Sequence, residues 1–169
     1  MPIPGILADP TGAAMLRDLL RRARTTKLRA ISALPEHCVR FELIDRVIER
    51  SPQHLVGVKC VTSAEEYLGD HFPTFPVLPG VMMLEALVQA GRLLLTDQSR
   101  ALKRPLILQE VRNLRYGNMV RPGQTLKVEV TLRPAKDAAA PTAGWEFDGV
   151  GKVEDQVAVQ GRFKLAPLA

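Results

Sequence analysis

From Val81 to Leu95 the chain reads VMMLEALVQAGRLLL, a segment unlike its surroundings. It contains no proline, and Val81 and Val88 are its two β-branched residues, so little in it opposes an α-helix. A helix over these residues would be about 22 Å long. Because apolar side chains occupy nearly every face, the pattern predicts a helix that is buried rather than one that lies on a surface.

Strand-forming patterns lie on both sides of this helix. Two segments before it are rich in Val, Ile and Leu, and segments after it alternate apolar and polar residues with a period of two. The predicted strands are 40–48, 55–62, 125–132, 145–153 and 157–165, with Gly161 interrupting the last one as a β-bulge would. Residues 133–144 are expected to form a long flexible hairpin connection. The pattern therefore predicts an α+β fold in which an antiparallel sheet curls around one long helix.

Length and composition indicate one folded domain. The chain has 169 residues, of which 46% are hydrophobic and 24% are charged, and these values are typical of a globular protein with one core. No run of about eighteen apolar residues occurs, and the start, MPIPG, lacks the basic flank and apolar block of a secretory signal. Cys38 and Cys60 are too few for a disulfide framework. We therefore expect a cytoplasmic protein with free thiols and no membrane partner.

The positive charge is concentrated near the start of the chain. The net charge is +5, and residues 17–29 hold six basic residues and one acid, so the remainder is neutral by count. Leu16, Leu19, Leu20 and Ala23 recur at helical spacing and predict a short basic amphipathic helix. This helix is interpreted either as a surface element with solvated arginines or as a docking arm for an acidic partner. Because no aromatic residues are interleaved with the charges, nucleic-acid binding is not expected.

Glu85, Gln89 and Arg92 form one polar stripe on the predicted helix, since they are spaced i, i+4 and i+7. A carboxyl in an apolar helix is costly unless it is neutral or paired. Glu85 is therefore either held by an ion pair or by a hydrogen bond from Gln89, or kept protonated by apolar surroundings, as a general acid at neutral pH requires.

The segment before the helix reads DHFPTFPVLPG over residues 70–80, with a proline at every third position from Pro73 to Pro79. These prolines stiffen the chain and would hold the His71 imidazole in a fixed place relative to the helix start. Gly80 allows a ligand atom to approach its backbone, and the N–H groups of the first helical turn offer positive partial charge to an oxygen. Taken singly, each feature is also typical of ordinary packing. Together they supply a base, an acid and a helix start, which suit the removal of a proton next to a carbonyl and the expulsion of a neighbouring hydroxyl.

The run His71-Phe72-Pro73-x-x-Pro76-Val77-x-Pro79-Gly80-Val81-x-x-x-Glu85-Ala86-x-x-Gln89 resembles the signature of the β-hydroxyacyl-acyl carrier protein dehydratases of bacterial fatty acid synthesis. The similarity extends to Leu34-Pro35, to residues 43–47 and to Arg121-Pro122-Gly123, and it covers about residues 33–166. It implies a hotdog fold in a single domain over residues 33–169, with residues 1–32 as an N-terminal extension.

The resemblance also implies how the site is assembled. Each active site of a homodimer would combine His71 of one subunit with Glu85 of the other, and assembly into a trimer of dimers is left open. Glutamate at position 85 is similar to the plain dehydratase branch of the family, whereas the dehydratase–isomerase branch carries aspartate there. Dehydration without isomerisation is therefore expected.

The activity that the resemblance implies is dehydration of (3R)-3-hydroxyacyl thioesters, linked to acyl carrier protein, to trans-2-enoyl thioesters, with no cofactor and no metal. His71 would remove the C2 proton, the Gly80 amide would bind the thioester carbonyl, and Glu85 would protonate the departing hydroxyl. Gln89 would either orient Glu85 or serve the structure.

Two further groups of residues follow from the same resemblance. The residues expected to line the acyl tunnel are Phe72, Phe75, Met82, Met83 and Leu87. The family's usual basic residues ahead of Arg121-Pro122-Gly123 are replaced here by Gly117-Asn118-Met119. The residues expected to dock the acidic carrier are therefore Arg112, Arg115 and Arg121.

Other functions remain open at this point. Two are enzymes of the same fold, a coenzyme A-dependent hydratase and a dehydratase for a specialised lipid or polyketide. A third is a non-catalytic acyl-binding protein, in which His71 and Glu85 would lie apart. Metal binding by the histidines and cysteines at positions 37, 38, 54 and 60 lacks a recognised ligand spacing.

Overall fold

The computed structural model describes residues 41–72, 74–134 and 144–168. The predicted basic helix and the predicted boundary after residue 32 lie outside these residues, and so does most of the 133–144 connection. The described helices are α1 (Tyr67–Asp70), α2 (Gly80–Leu94) and α3 (Thr96–Leu102). The strands are β1 (Arg46–Arg50), β2 (His54–Cys60), β3 (Leu106–Tyr116), β4 (Thr125–Leu132), β5 (Trp145–Val153) and β6 (Gln156–Pro167).

The strands form one antiparallel sheet in the order β1-β2-β4-β5-β6-β3. The predicted meander β4-β5-β6 is confirmed, and β5 pairs with both of its neighbours as expected. The strand β3 was not predicted from the sequence, although its eleven residues form one edge of the sheet. The sheet has β1 as its other edge.

The helix α2 begins and ends within one residue of the predicted positions and packs against β2, β4, β5, β6 and β3. Its sheet-facing side supplies much of the core, through Met83, Ala86, Leu87, Val88, Ala90, Gly91 and Leu94. A Cβ on Gly91 would lie 3.1 Å from Phe163 Cε2, so the helix and β6 approach closely there. The architecture is the α+β arrangement that the sequence predicts, with a sheet wrapped on one long helix.

Burial of α2 on every face was expected, and for the single chain this is wrong. Val81 is 67% exposed and Leu93 is 38% exposed, because the sheet covers one side of the helix. Glu85 and Arg92 lie half-buried on the remaining surface. The open side of α2 therefore combines exposed apolar side chains with the polar stripe.

The strand predicted over 40–48 is right for residues 46–48 and wrong for residues 41–45. Leu43 is 1% exposed, and its backbone N–H donates to Gln89 Oε1 at 2.8 Å. The chain before β1 is thus held by α2 through a side chain, so at Leu43 the backbone bonds the helix instead of a neighbouring strand.

The predicted β-bulge lies in β3, opposite Gly161, and not in the strand that contains Gly161. Gly161 pairs in register with Gly149, whereas β3 places two residues, Asn113 and Leu114, between its pairs with Arg162 and Gln160. Asn113 has a φ of 54°, and a Cβ on Gly161 would lie 3.1 Å from the Leu114 Cα. Gly161 therefore leaves room for a bulge in the neighbouring strand.

Candidate active site

His71 directly follows α1, and its half-buried imidazole is fixed by the main chain. Its Nδ1 lies 3.1 Å from the carbonyl oxygen of Val77. A carbonyl oxygen accepts and cannot donate, so this contact requires the proton on Nδ1. The neutral ring therefore has its lone pair on Nε2, the atom that a general base needs.

The loop between His71 and α2 is held at several points. Phe72 has a φ of 54°, and Phe75 N–H donates to Phe72 O at 2.8 Å. Leu78 N–H donates to Val120 O at 2.8 Å, and the side chains of Val77, Leu78 and Pro79 are buried. A left-handed φ in a bulky residue is uncommon and costs about 1–3 kcal/mol, so the surrounding contacts must enforce this path.

Gly80 begins α2 beneath the ring of Tyr116. A Cβ at residue 80 would lie 3.0 Å from Tyr116 Cε1, which is tighter than an ordinary contact. Burial raises the pKa of Tyr116 above its ordinary value. The first turn of α2 has no acidic residue, and no side chain caps it. Backbone N–H groups at a helix start carry positive partial charge, so this turn can bind an electron-rich oxygen.

Glu85 lies on the open side of α2 and is held through one oxygen. Its Oε1 accepts a hydrogen bond from Gln89 Nε2 at 3.1 Å and one from Arg92 Nη1 at 2.9 Å. Of the two alternatives open for this carboxyl, the structure shows the ion pair together with the hydrogen bond from Gln89, and the side chain is 33% exposed. Both partners belong to the stripe seen in the sequence.

Gln89 and Arg92 connect this stripe to the rest of the domain. Gln89 donates to the Phe41 carbonyl at 2.9 Å and accepts from Leu43 N–H, so its amide joins α2 to the segment before β1. Arg92 Nε donates to the Leu106 carbonyl at 2.9 Å, which joins α2 to the start of β3. Gln89 therefore has a structural contact as well as a contact with Glu85.

The five residues assigned to the acyl tunnel lie in two places. Phe72 and Phe75 are 60% and 42% exposed in the loop, and the Arg121 guanidinium lies 4.6 Å above the Phe75 ring. Met82 is half-buried and Met83 is buried on α2. Leu87 is fully buried and faces β5, where its Cδ1 would lie 3.2 Å from a Cβ on Gly149. Their assignment to a tunnel stays a prediction.

The three arginines assigned to carrier docking differ in their surroundings. Arg112 makes two hydrogen bonds to Glu110, at 2.6 and 2.9 Å, and its guanidinium holds the pKa of Glu110 below its ordinary value. Arg115 is exposed at the end of β3 and forms no ion pair with the described residues. Arg121 is exposed and stacks on Phe75. Their role stays a prediction.

A charge cluster around the buried Lys59 of β2 was missed in the sequence. Lys59 is 6% exposed, and its Nζ lies 2.8 Å from Glu65 Oε1 and 3.3 Å from Asp45 Oδ1. Burial lowers the pKa of Lys59, but the hydrogen bond and charge of Glu65, together with Asp45, outweigh it, so the pKa lies above its ordinary value. Burial is the main cause that raises the pKa of Tyr67, and the Glu65 carboxylate raises it further. Because these residues lie far apart in the sequence, no local sequence pattern indicated the cluster.

Among the described residues, no group of three His, Cys, Asp or Glu side chains is placed to hold a metal ion. None of their helices has the length and apolar character needed to cross a membrane.

Known proteins resemble this chain in sequence over most of its length. The family model described as a FabA-like domain matches residues 34–162. The 3-hydroxyacyl-[acyl-carrier-protein] dehydratase FabZ of Caulobacter vibrioides (strain NA1000 / CB15N) is 38% identical over 75% of this chain and 79% of its own length. The FabZ of Solibacter usitatus is 37% identical over 77% of this chain and 82% of its own.

Solved structures show the same hotdog fold. The dehydratase heterocomplex ApeI:P from Xenorhabdus doucetiae has a TM-score of 0.58 at 20% identity, covering 76% of this chain and 84% of that one. The smu.793 protein of Streptococcus mutans, bound to acetyl CoA, has a TM-score of 0.56 at 14% identity, covering 80% and 96%. These likenesses establish the fold, and the sequence matches establish the family. The chain belongs to the FabZ-type 3-hydroxyacyl-[acyl-carrier-protein] dehydratases within the FabA-like group.

Proposed function

We propose that this protein dehydrates (3R)-3-hydroxyacyl thioesters of acyl carrier protein to trans-2-enoyl thioesters in fatty acid biosynthesis. The observation that carries the proposal is the contact between His71 Nδ1 and the Val77 carbonyl, which leaves Nε2 as a base. The FabZ relatives, named for this reaction, support it.

The reaction needs one base and one acid. His71 Nε2 takes the proton from C2 of the substrate, and the electrons of that C–H bond form the C2–C3 double bond. The thioester carbonyl accepts a hydrogen bond from the Gly80 amide at the start of α2, which stabilises enolate-like charge. Glu85 serves as the general acid: a proton on its carboxyl passes to the C3 hydroxyl as the C3–O bond breaks, so water leaves. Proton exchange with solvent then returns both side chains to their starting states.

The site is proposed to form between two copies of the chain. Within one chain, His71 is bonded to the loop before α2, whereas the carboxyl of Glu85 bonds side chains one and two turns further along the helix. The strand β3 is an edge of the sheet, so one of its sides is open to pairing, and Val81 on α2 is an exposed apolar side chain. A second copy of the chain would cover both. In this homodimer, His71 of one subunit acts with Glu85 of the partner subunit.

Substrate delivery completes the proposal. Carrier docking is assigned to Arg112, Arg115 and Arg121, and the acyl chain is assigned to the tunnel residues named above. A single domain over residues 33–169 and a cytoplasmic location are likewise parts of this proposal. No cofactor or metal takes part in any step.

The deciding experiment compares matched thiols. The full chain is given (3R)-3-hydroxyacyl thioesters of several lengths, each linked to acyl carrier protein or to coenzyme A, and enoyl product is followed by absorbance. Faster turnover of the carrier-bound series is expected. Faster turnover of the coenzyme A series would instead indicate a coenzyme A-dependent hydratase. Binding without turnover would indicate a non-catalytic acyl-binding protein, and turnover of specialised acyl groups alone would indicate a specialised-lipid or polyketide dehydratase.

A further inference from the structure

We infer that Arg92 is a positioning residue for Glu85 in dehydration, an inference that rests on the proposed function. The guanidinium lies between two oxygen atoms. Its Nη1 donates to Glu85 Oε1 at 2.9 Å, and its Nε donates to the Leu106 carbonyl oxygen at 2.9 Å. Because Leu106 begins β3, the arginine is anchored on the backbone of the sheet. The planar guanidinium spans both acceptors with its geometry already set, which a flexible ammonium would not do.

The contacts of Glu85 are uneven between its two oxygens. Gln89 Nε2 and Arg92 Nη1 both donate to Oε1. Among the described residues, no donor reaches Oε2. Two donors on one oxygen hold the carboxyl in one orientation. The structure therefore assigns Oε2 to the substrate hydroxyl and Oε1 to the supporting contacts.

This arrangement would act during the proton transfer itself. When Oε2 gives its proton to the leaving hydroxyl, negative charge develops on the carboxyl, and donors already in place on Oε1 stabilise that charge without reorganising. Gln89 is shared with Phe41 and Leu43, so its amide also serves the chain before β1. Within the described chain, Arg92 is the charged group that contacts Glu85.

A purely structural ion pair makes a different prediction. A partly exposed ion pair contributes little to stability, and its loss would not change a catalytic rate constant. Arg50 provides the matched control, because it is another arginine that donates to a backbone carbonyl: its Nη2 lies 3.5 Å from the carbonyl oxygen of Leu94 in α2. The contact of Arg50 is with the backbone at the C-terminal end of α2, away from the carboxyl of Glu85.

The test measures kcat and KM of the full chain with an N-acetylcysteamine thioester of a (3R)-3-hydroxy acid. We expect Arg92→Met to lower kcat about tenfold with KM changed less than about twofold, because a misplaced acid slows the reaction without weakening binding. Arg92→Lys should recover part of kcat, and Arg50→Met should resemble the unmodified enzyme. Equal values of kcat for Arg92→Met and Arg50→Met would overturn the inference.

A double-mutant cycle then asks whether Arg92 acts through Glu85. Glu85→Gln alone should lower kcat by about two orders of magnitude, the usual contribution of a general acid. Adding Arg92→Met to that variant should cost nothing further. A second tenfold loss on top of Glu85→Gln would show that Arg92 acts independently, which contradicts the inference.

Three remaining outcomes are also decisive. If Arg92→Met does not fold, Arg92→Lys enters the same cycle, and a loss that persists beside Glu85→Gln overturns the inference. If the unmodified enzyme turns over none of the thioesters, the proposed function fails and the role of Arg92 fails with it. Turnover by the unmodified enzyme together with an unaffected Arg92→Met variant overturns the role of Arg92 alone.

Discussion

The two halves of the proposed site are held by different kinds of contact. The imidazole of His71 is fixed by a main-chain carbonyl, that of Val77, in a loop that is itself bonded to Val120 through the backbone. The carboxyl of Glu85 is fixed by the side chains of Gln89 and Arg92. One half therefore depends on the path of the chain, and the other depends on which side chains occupy the helix.

This difference has a physical consequence for each group. A carbonyl oxygen is present whatever side chain stands at position 77, so the Nδ1-protonated form of His71 survives substitution of Val77. The orientation of Glu85 has no such support and changes with one substitution in the stripe. The histidine half should therefore be sensitive to backbone displacement, and the glutamate half to side-chain replacement.

The largest effect is expected where the proposed base is removed. His71→Ala should lower the dehydration rate by about two to four orders of magnitude, because a general base contributes that much. The fold should persist, since the ring is half-buried. The measurement is turnover of carrier-bound substrate, with His54→Ala as the matched control because that imidazole bonds Glu129 on the sheet, at 3.0 Å. A His71→Ala rate within about tenfold of the unmodified enzyme would remove His71 from the mechanism.

The next effect concerns the support of the histidine half. Lys59 bonds Glu65, and Leu68 N–H in turn donates to the Glu65 carbonyl at 3.0 Å, so the cluster anchors α1, which ends just before His71. Lys59→Met leaves two carboxylates without their cation and should lower the free energy of unfolding by about 2–3 kcal/mol. Denaturant unfolding measures this, with exposed Lys127→Met on β4 as the control.

The pH dependence of this cluster has a definite sign. The pKa of Lys59 is raised above its ordinary value of 10.5, so the cluster stabilises the fold fully below that pH and loses its contribution as pH rises through the folded value. The difference in unfolding free energy between the unmodified chain and Lys59→Met should therefore shrink as the pH rises through the raised pKa of Lys59. A difference that stays constant there would exclude the ion pairs as its source.

A smaller effect is expected at the junction of the loop and α2. In Gly80→Ala the new Cβ would lie 3.0 Å from Tyr116 Cε1, so the ring or the helix start must shift by a few tenths of an ångström. Displacing the amide that we propose binds the thioester carbonyl should lower kcat about tenfold. Gly69→Ala is the control, because nothing lies within 4 Å of its added Cβ. If the Tyr116 contact is the cause, adding Tyr116→Ala should restore part of the rate, and a double variant no faster than Gly80→Ala would contradict this reasoning.

The elements of the fold and the contacts of the glutamate half were unequally predictable from the sequence. Periodicity and composition are local, so α2 and the β4-β5-β6 meander were predicted closely. The strand β3 has no clean alternation, because the bulge at Asn113 and Leu114 shifts its register. The spacing of Glu85, Gln89 and Arg92 indicated an ion pair, but the anchor of Arg92 on Leu106 depends on a strand that the sequence did not reveal.

The smallest expected effect concerns which half of the proposed site, the histidine half or the glutamate half, faces the acyl carrier protein. Arg121 stacks on Phe75 in the histidine loop, whereas Arg115 lies on β3, the strand that anchors Arg92. Each arginine to alanine change should raise KM for carrier-bound substrate a few-fold, about 1 kcal/mol at most for an exposed charge. KM for the N-acetylcysteamine thioester should not change, since that substrate has no acidic surface. Arg112→Ala should matter least, because Glu110 already pairs its guanidinium.

These KM values should also depend on ionic strength if docking is electrostatic. Salt should raise KM for the carrier-bound substrate in the unmodified enzyme, and it should do so less in whichever variant has lost the docking charge. A weaker salt dependence in Arg121→Ala alone would place the carrier on the histidine side, and in Arg115→Ala alone on the β3 side. Equal salt dependence for the carrier-bound and N-acetylcysteamine substrates would instead show that charge does not guide the carrier.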